Sequence, residues 1–331
     1  EEKREGGVRT FIETEFGPCA VGRVEGATLA VSRTPPIFPV ALLSNKDLDR
    51  ACSRYFGLEL IGIRAHEDDE RRAEENEAQR QLREKAYVEN GVWVTPILFK
   101  PDAKKLRNNY AMALKRFMNM ERKLSLDPQL EKDYDVEIKA LFERGDARWL
   151  RDDEIDEPIA FYMPHRPVVR PDKETTKIRP VFDASARTRD GVSLNSEILK
   201  TPVLHPALTG ILMRFRMKPI GLTGDISKMF LRMGILPEHE KFQRFLARPA
   251  PGAPIKHAAI TKVAFGVADS PYRAMESVKR TIEQYKDEFP EAAEELTANL
   301  YVDDLLTGAE TVAAAVKLQR DCVTLLDKAG L

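Results

Sequence analysis

Residues 300–306 read LYVDDLL, an apolar, strand-like run with two adjacent carboxylates near its centre. Two carboxylates about 4 Å apart repel by about 4 kcal/mol at an effective dielectric constant of about 20, and partial burial adds a desolvation penalty. Exposure in the tight turn of a hairpin would relieve this penalty, and so would a bound divalent cation. The run predicts two short strands with Asp303 and Asp304 between them, and both explanations stay open.

A third carboxylate ends another apolar run. Asp225 closes residues 219–225 (PIGLTGD), 78 positions before Asp303. If the two runs form neighbouring strands, three carboxylates meet at one end of a sheet. Such a cluster suits Mg²⁺, which prefers oxygen ligands and leaves positions for water and phosphate. Two such ions about 3.5–4 Å apart support in-line phosphoryl transfer.

The rest of the chain alternates short strands with amphipathic helices, which is typical of an α+β protein whose strands are mostly antiparallel. Asn90-Gly91 predicts a hairpin turn, and Asp127 with Pro128 predicts the start of a helix. The predicted strands cover residues 8–13, 27–32, 178–182 and 219–225; the predicted helices cover residues 44–55, 110–124, 128–145, 206–215, 270–285 and 312 onward.

Composition excludes several classes of protein. No apolar run approaches the roughly 18 residues of a membrane span, and no targeting peptide opens the chain. The three cysteines are far apart without a Cys-x-x-Cys pair, and the five histidines are scattered. We therefore expect a cytosolic-type protein of about two domains, with no disulfide framework, no structural zinc site and no membrane contact.

Charge is unevenly distributed along the chain. Residues 160–250 hold 16 Lys and Arg against 8 Asp and Glu, whereas the rest holds 36 against 45. A basic block inside a chain of net charge −1 is the footprint expected for a polyanionic partner. An ordinary basic surface is the alternative.

Five motifs in order carry a family resemblance. The chain resembles a reverse transcriptase, in detail the polymerase region of Pol polyproteins from BEL/Pao-type LTR retrotransposons, over roughly residues 50–331. The sequences of residues 162–167, 182–186, 241–244 and 301–308 are similar to those of that family. The motifs are KIRPVFDAS (177–185), Leu194-Asn195, DISKMF (225–230), Phe265-Gly266 with Ser270-Pro271, and YVDD (301–304).

The resemblance implies a right-hand polymerase fold of fingers and palm, with an antiparallel palm sheet and flanking helices, preceded by a helical N-terminal region. Residues 1–62 are predicted to be a remnant of a protease-like region and a connector. Residues 63–86 are predicted to be a charged linker or helix, and residues 87–157 an N-terminal helical and fingers region. Residues 158–331 are predicted to be the fingers and palm, incomplete at the C-terminus.

The resemblance also implies roles for the acidic residues. Asp225 and Asp303 would ligate two Mg²⁺ ions, with Mn²⁺ as an alternative metal, and Asp304 would support them. Tyr301 and Val302 would lie beside the primer and template. The alternative for Tyr301 is a buried strand tyrosine.

Basic residues before and within the 178–182 strand are expected to contact the incoming triphosphate. Arg179 suits this role because a guanidinium binds phosphate oxygens bidentately, and Lys173 and Lys177 would add contacts. A plain surface arginine is the alternative for Arg179. The fingertip lysine of the family has no clean counterpart, since the nearby positions hold Arg170 and Asp172.

Three further residues complete the implied nucleotide site. Phe230 would lie under the sugar and clash with a 2′-hydroxyl, which favours deoxynucleotides; a core phenylalanine is the alternative. Phe265 stands where retroviral enzymes carry glutamine, so stacking or packing replaces a polar contact. Gly266 would let the backbone approach the substrate.

The predicted function is RNA-directed DNA polymerase activity, in which deoxynucleoside triphosphates extend a primer on an RNA or DNA template. We expect other Pol domains as partners and a cytoplasmic location in a retroelement particle. The alternative is an inactive, truncated element remnant that at most binds nucleic acid.

Overall fold

The computed structural model describes the strands within residues 9–32 and residues 65–101, 103, 106–169 and 178–331. The chain forms two compact units, and each is assembled from separated segments. The first unit contains residues 1–68, 203–229 and 275–331, and the second contains residues 69–202 and 230–274.

A three-stranded antiparallel sheet lies in the N-terminal part of the chain. Its outer strands match the two that the sequence predicts, whereas the central strand is not predicted. The predicted helix at residues 44–55 lies outside the described residues. The strands are β1 (Arg9–Thr14), β2 (Gly17–Val24) and β3 (Ala27–Ser32).

The charged segment forms a 21-residue helix, α1 (Ala65–Lys85). Ion pairs one turn apart stabilise its exposed face, as between Arg80 and Glu77 at 2.7 Å. The sequence shows no apolar stripe here, but Ala78 and Leu82 are fully buried. This part of the helix is therefore buried inside the second unit, to which both residues belong.

Local sequence rules account for the next elements. Asn90 and Gly91 both have positive φ (49° and 75°), as the predicted two-residue hairpin turn requires. Asp127 caps its helix by accepting a hydrogen bond from the amide of Leu130 at 3.1 Å, which confirms the predicted helix start. The elements are β4 (Tyr87–Glu89), β5 (Val92–Thr95), α2 (Tyr110–Leu124) and α3 (Pro128–Glu143).

A hairpin of two five-residue strands follows in the second unit. Its register places His165 opposite Phe182 and Val168 opposite Arg179. The second strand coincides with the one that the sequence predicts. The elements of this stretch are β6 (Ala147–Trp149), α4 (Asp152–Ile155), β7 (His165–Val169) and β8 (Ile178–Phe182).

The remaining elements build small sheets with the strand orders β10-β5-β4, β11-β12-β6 and β13-β14-β9. Among the pairs of named strands in the described residues, only β10 with β5 is parallel. These elements are α5 (Leu208–Phe215), β9 (Ile220–Asp225), β10 (Gly234–Ile235), β11 (Arg244–Ala247), β12 (Lys256–Ile260), α6 (Ser270–Tyr285), α7 (Pro290–Asn299), β13 (Leu300–Tyr301), β14 (Asp304–Ala309) and α8 (Val312–Asp327).

The architecture is α+β, as the sequence predicts, with several small sheets among helices. Helices α4 and α7 and strands β6, β10, β11 and β12 are not predicted. None of the helices in the described part of the chain combines the length and the apolar character needed to cross a membrane.

Candidate functional site

Two of the three predicted carboxylates are direct cross-strand neighbours. Strand β14 pairs with β9 so that Asp304 lies opposite Asp225. The amide of Ile226 donates to the carbonyl of Asp303 at 2.8 Å. Asp225 and Asp304 are thus a non-hydrogen-bonded pair, with Cα atoms about 4.5 Å apart and both side chains on one face.

The opposite face of the sheet is buried. Ile220 and Leu222 on β9 and Thr307 and Ala309 on β14 lie on that face, and each is less than 9% exposed. Because side chains alternate between faces along a strand, this burial directs Asp225 and the residue opposite it to the other, exposed face.

A buried polar network holds the hairpin of β13 and β14 in place. The Thr307 hydroxyl and the Asn299 amide both donate to Oε2 of Glu295, the latter at 2.6 Å. Arg214 on α5 donates to the Asn299 side-chain oxygen at 2.8 Å. Asn299 directly precedes β13 and Thr307 lies on β14, so the network holds both strands of the hairpin.

The turn between these strands is conformationally unusual. Tyr301 pairs with Asp304, which leaves Val302 and Asp303 as a two-residue turn. Val302 has a φ of +59°, a region that β-branched residues rarely adopt and that stores about 1–3 kcal/mol. Strain of this kind often marks functional sites, and here it lies in the turn that contains Asp303.

Asp225, Asp303 and Asp304 lie together at one end of the sheet β13-β14-β9, here called the acidic edge. The acidic edge carries excess negative charge. Burial, and secondarily the carboxylate of Asp303, raises the pKa of Asp304 above its ordinary value of 3.8. Both effects disfavour ionisation. A cation bound at this edge would stabilise the ionised form.

The edge provides part of a metal site rather than a complete cage. Within the described residues, no group of three or more His, Cys, Asp or Glu side chains is placed to hold a metal ion. Mg²⁺ is commonly held by one or two carboxylates together with water and substrate phosphates. Asp225 and Asp304 face each other and Asp303 lies in the adjoining turn, so an Mg²⁺ or Mn²⁺ ion here would need water or a phosphate ligand to complete its coordination.

Tyr301 lies at the end of β13 and is half-buried. Its ring packs against that of His205 with centroids 4.4 Å apart. Part of the tyrosine surface therefore remains accessible next to the turn at Val302.

In the second unit the structure brings together two residues that the sequence assigns to the nucleotide site. The rings of Phe230 and Phe265 have centroids 4.8 Å apart at an angle of 53°. Phe265 is 45% exposed and Phe230 is half-buried. The two rings form an aromatic pair that is open to solvent.

Gly266 is required by the backbone around it. Its φ is +93°, and a Cβ atom at this position would lie 2.5 Å from the carbonyl oxygen of Phe182. No other residue avoids this contact without a shift of backbone. The close approach is to the protein's own chain, a reason for glycine that sequence reasoning did not supply.

Arg179 is exposed on β8, opposite Val168. Lys173 and Lys177 lie outside the described residues, as do Arg170 and Asp172, the two positions considered for the fingertip lysine. The predicted phosphate contacts of these residues therefore stay predictions.

Asn195 belongs to one of the sequence motifs, but the sequence assigns it no role. Its side-chain amide contacts the loop that contains Phe265 and Gly266. The sequence contains no local signal for this role, because the backbone partners of Asn195 lie 71 and 73 residues away.

The chain matches no protein-family model and no curated protein.

Proposed function

We propose that the chain is the fingers-and-palm part of an RNA-directed DNA polymerase, from a Pol polyprotein of the BEL/Pao-type LTR retrotransposons. The observation that carries the proposal is the register of β9 and β14. It sets Asp225 opposite Asp304 at one sheet edge, next to a strained turn that contains Asp303. The ordered motifs of the sequence support the same assignment.

In this proposal the sheet β13-β14-β9 and the helices packed on its buried face form the palm. The hairpin β7-β8, with helices α2 and α3, belongs to the fingers. An antiparallel sheet suits this role, because a two-residue hairpin presents its turn at the sheet edge with little freedom.

The acidic residues would hold the metal ions. Asp225 and Asp303 would ligate two Mg²⁺ ions and Asp304 would support them. When bound, the ions supply activation of the primer 3′-hydroxyl and stabilisation of the leaving pyrophosphate. The cross-strand register fixes Asp225 relative to Asp304, and the turn fixes the backbone of Asp303, so the ligands need little rearrangement.

Residues outside the acidic edge would bind and select the nucleotide. Arg179 would pair with the triphosphate, with Lys173 and Lys177 adding charge. Phe230 would exclude a 2′-hydroxyl, and its contact with Phe265 supports a shared aromatic surface beside the nucleotide.

The template and primer would be held mainly through their phosphates. The basic block at residues 160–250 supplies the positive charge, so we expect binding to weaken as salt rises and to depend little on base sequence. Tyr301 and Val302 would lie beside the primer end. The enzyme would act in a cytoplasmic element particle together with other Pol domains.

Primer extension tests the proposal. On poly(rA)/oligo(dT) with Mg²⁺ and dTTP, we expect template-dependent synthesis that Asp225→Asn lowers by about 10³-fold or more, the scale of losing one essential electrostatic group. The control is Glu310→Gln, which removes an exposed carboxylate just beyond the other end of β14.

Equal synthesis by Asp225→Asn and the wild-type chain would contradict the proposal. A folded wild-type chain that binds the template and primer but makes no product under Mg²⁺ or Mn²⁺ would favour the inactive element remnant instead.

A further inference from the structure

Phe265 is exposed, yet the backbone on its N-terminal side is fixed. The amide of Ala264 donates to the side-chain oxygen of Gln243 at 3.2 Å, and its carbonyl accepts from the hydroxyl of Ser270 at 2.7 Å. Gln243 is itself fully buried. The backbone of Ala264, directly before Phe265, is therefore held in place by two hydrogen bonds.

Asn195 fixes the C-terminal side of Phe265. Its Nδ2 donates to the carbonyl of Gly266 at 2.9 Å and to the hydroxyl of Ser185 at 2.8 Å. Its Oδ1 accepts from the amide of Ala268 at 2.9 Å. One side chain thus binds two backbone groups of a loop that lies 71 residues away in sequence.

These bonds require a carboxamide. The carbonyl of Gly266 needs a donor and the amide of Ala268 needs an acceptor, which sets the orientation of the Asn195 side chain without ambiguity. Aspartate has the same shape but only acceptors when ionised, so it would keep the bond to Ala268 and oppose the Gly266 carbonyl.

The placement of Asn195 is itself rigid. Its backbone N–H donates to the carbonyl of Ala184 at 3.1 Å, and the preceding Leu194 is fully buried. Gly266 also lies against the carbonyl of Phe182. The loop is therefore held between β8 and the segment that contains Asn195.

We propose that Asn195 is a positioning residue of the nucleotide site, whose carboxamide holds the Phe265 ring against Phe230 and thereby sets affinity for the incoming nucleotide. The proposal rests on the proposed polymerase function and extends it to a residue that acts through Phe265 rather than touching the substrate.

Steady-state incorporation of dTTP on poly(rA)/oligo(dT) tests the role. We expect Asn195→Asp to raise KM for dTTP about tenfold, the scale of one charge-sensitive hydrogen bond, with kcat within about twofold of wild type. The matched control is Asn108→Asp, because Asn108 has a similar bonding pattern, to the carbonyl of Glu157 at 3.1 Å and the amide of Tyr110 at 3.0 Å. This control should leave KM unchanged.

A double-variant cycle separates positioning from general structural damage. If Asn195 acts through the ring, Asn195→Asp should add little to the KM increase caused by Phe265→Ala. Independent, multiplying effects of the two substitutions, or a fall in kcat with unchanged KM, would overturn the proposal.

Hydrogen exchange gives a readout that does not depend on activity. Asn195→Ala removes the acceptor for the Ala268 amide, so exchange at residues 266–268 should rise about tenfold or more, whereas Asn108→Ala should not change it. Unchanged exchange would overturn the positioning role even in an active enzyme. If the wild-type chain has no polymerase activity but Asn195→Ala still raises exchange, the result would support the positioning of the loop and reject only the proposed polymerase function.

Discussion

The acidic edge and the loop around Phe265 are both predicted parts of a nucleotide site, but they are held in place by different means. Strand register places Asp304 opposite Asp225, and the backbone ladder supplies most of the order. The loop has no ladder, and the side chains of Asn195, Gln243 and Ser270 bond to its backbone instead. Geometry built on register is encoded by alternation along the strands, whereas geometry built on a loop depends on a few distant side chains.

Replacing a glycine by alanine should give the largest difference in stability between the two regions. We expect Gly266→Ala to lower the free energy of unfolding by about 4 kcal/mol, because the new Cβ meets the Phe182 carbonyl and φ is positive. Gly224→Ala should change it by less than about 1 kcal/mol, since its Cβ would lie 4.0 Å from the Cβ of Leu305. Chemical denaturation measures both values.

Equal effects of the two alanine substitutions would remove this contrast. It would mean that the strands around Gly224 tolerate a Cβ no better than the loop does.

Low pH should destabilise the second unit, which contains the Phe265 loop. Burial lowers the pKa of His165 and of His239 to about 4, and it lowers the pKa of His257 as well. All three histidines belong to the second unit. In His165, Nε2 donates to the Leu246 carbonyl at 2.7 Å, so Nδ1 is left to accept from a tyrosine hydroxyl.

The sign of this dependence follows from the lowered pKa. The unfolded chain takes up a proton near pH 6.5 and the folded chain near pH 4, so stability is full above pH 6.5 and falls between these values. His165 alone should account for about 3 kcal/mol. Denaturation at several pH values, compared with His165→Gln, isolates this contribution; parallel curves for the two proteins would show that the histidine is not held neutral.

The smallest expected effect concerns the acidic pair. Without metal, Asp304→Asn should stabilise the fold by at most about 1 kcal/mol, because like charges directly opposite repel and solvent screens exposed groups. Added Mg²⁺ should narrow the difference by stabilising the wild-type chain. The control is the exposed Asp287→Asn in the same unit. A loss of melting temperature in Asp304→Asn without metal would instead assign the aspartate a structural role in the turn.

Local rules predicted much of the fold. The turn at Asn90-Gly91, the cap at Asp127 and the hairpin at residues 300–306 follow from short sequence patterns, and the structure contains all three. The partnership of β9 with β14 could be stated only as a condition, because pairing across a long separation leaves no local trace.

Contacts through side chains escaped prediction for the same reason. Asn195 meets Gly266 across 71 residues, and Arg214 meets Asn299 across 85. Each is a polar residue whose partner is chosen by tertiary packing, and a single sequence contains no signal for that choice.

The interleaving of the two units bears on how the chain is made. Strands β9 and β14 belong to one unit, but residues 230–274 of the other unit lie between them in sequence. During synthesis at about 5–20 residues per second, β9 leaves the ribosome roughly 4–16 s before Asp304 is available to pair with Asp225. The carboxylates that would bind metal therefore meet only after translation has passed through most of both units, and a ribosome stalled before residue 304 leaves an unpaired edge on β9 exposed to aggregation or to chaperones.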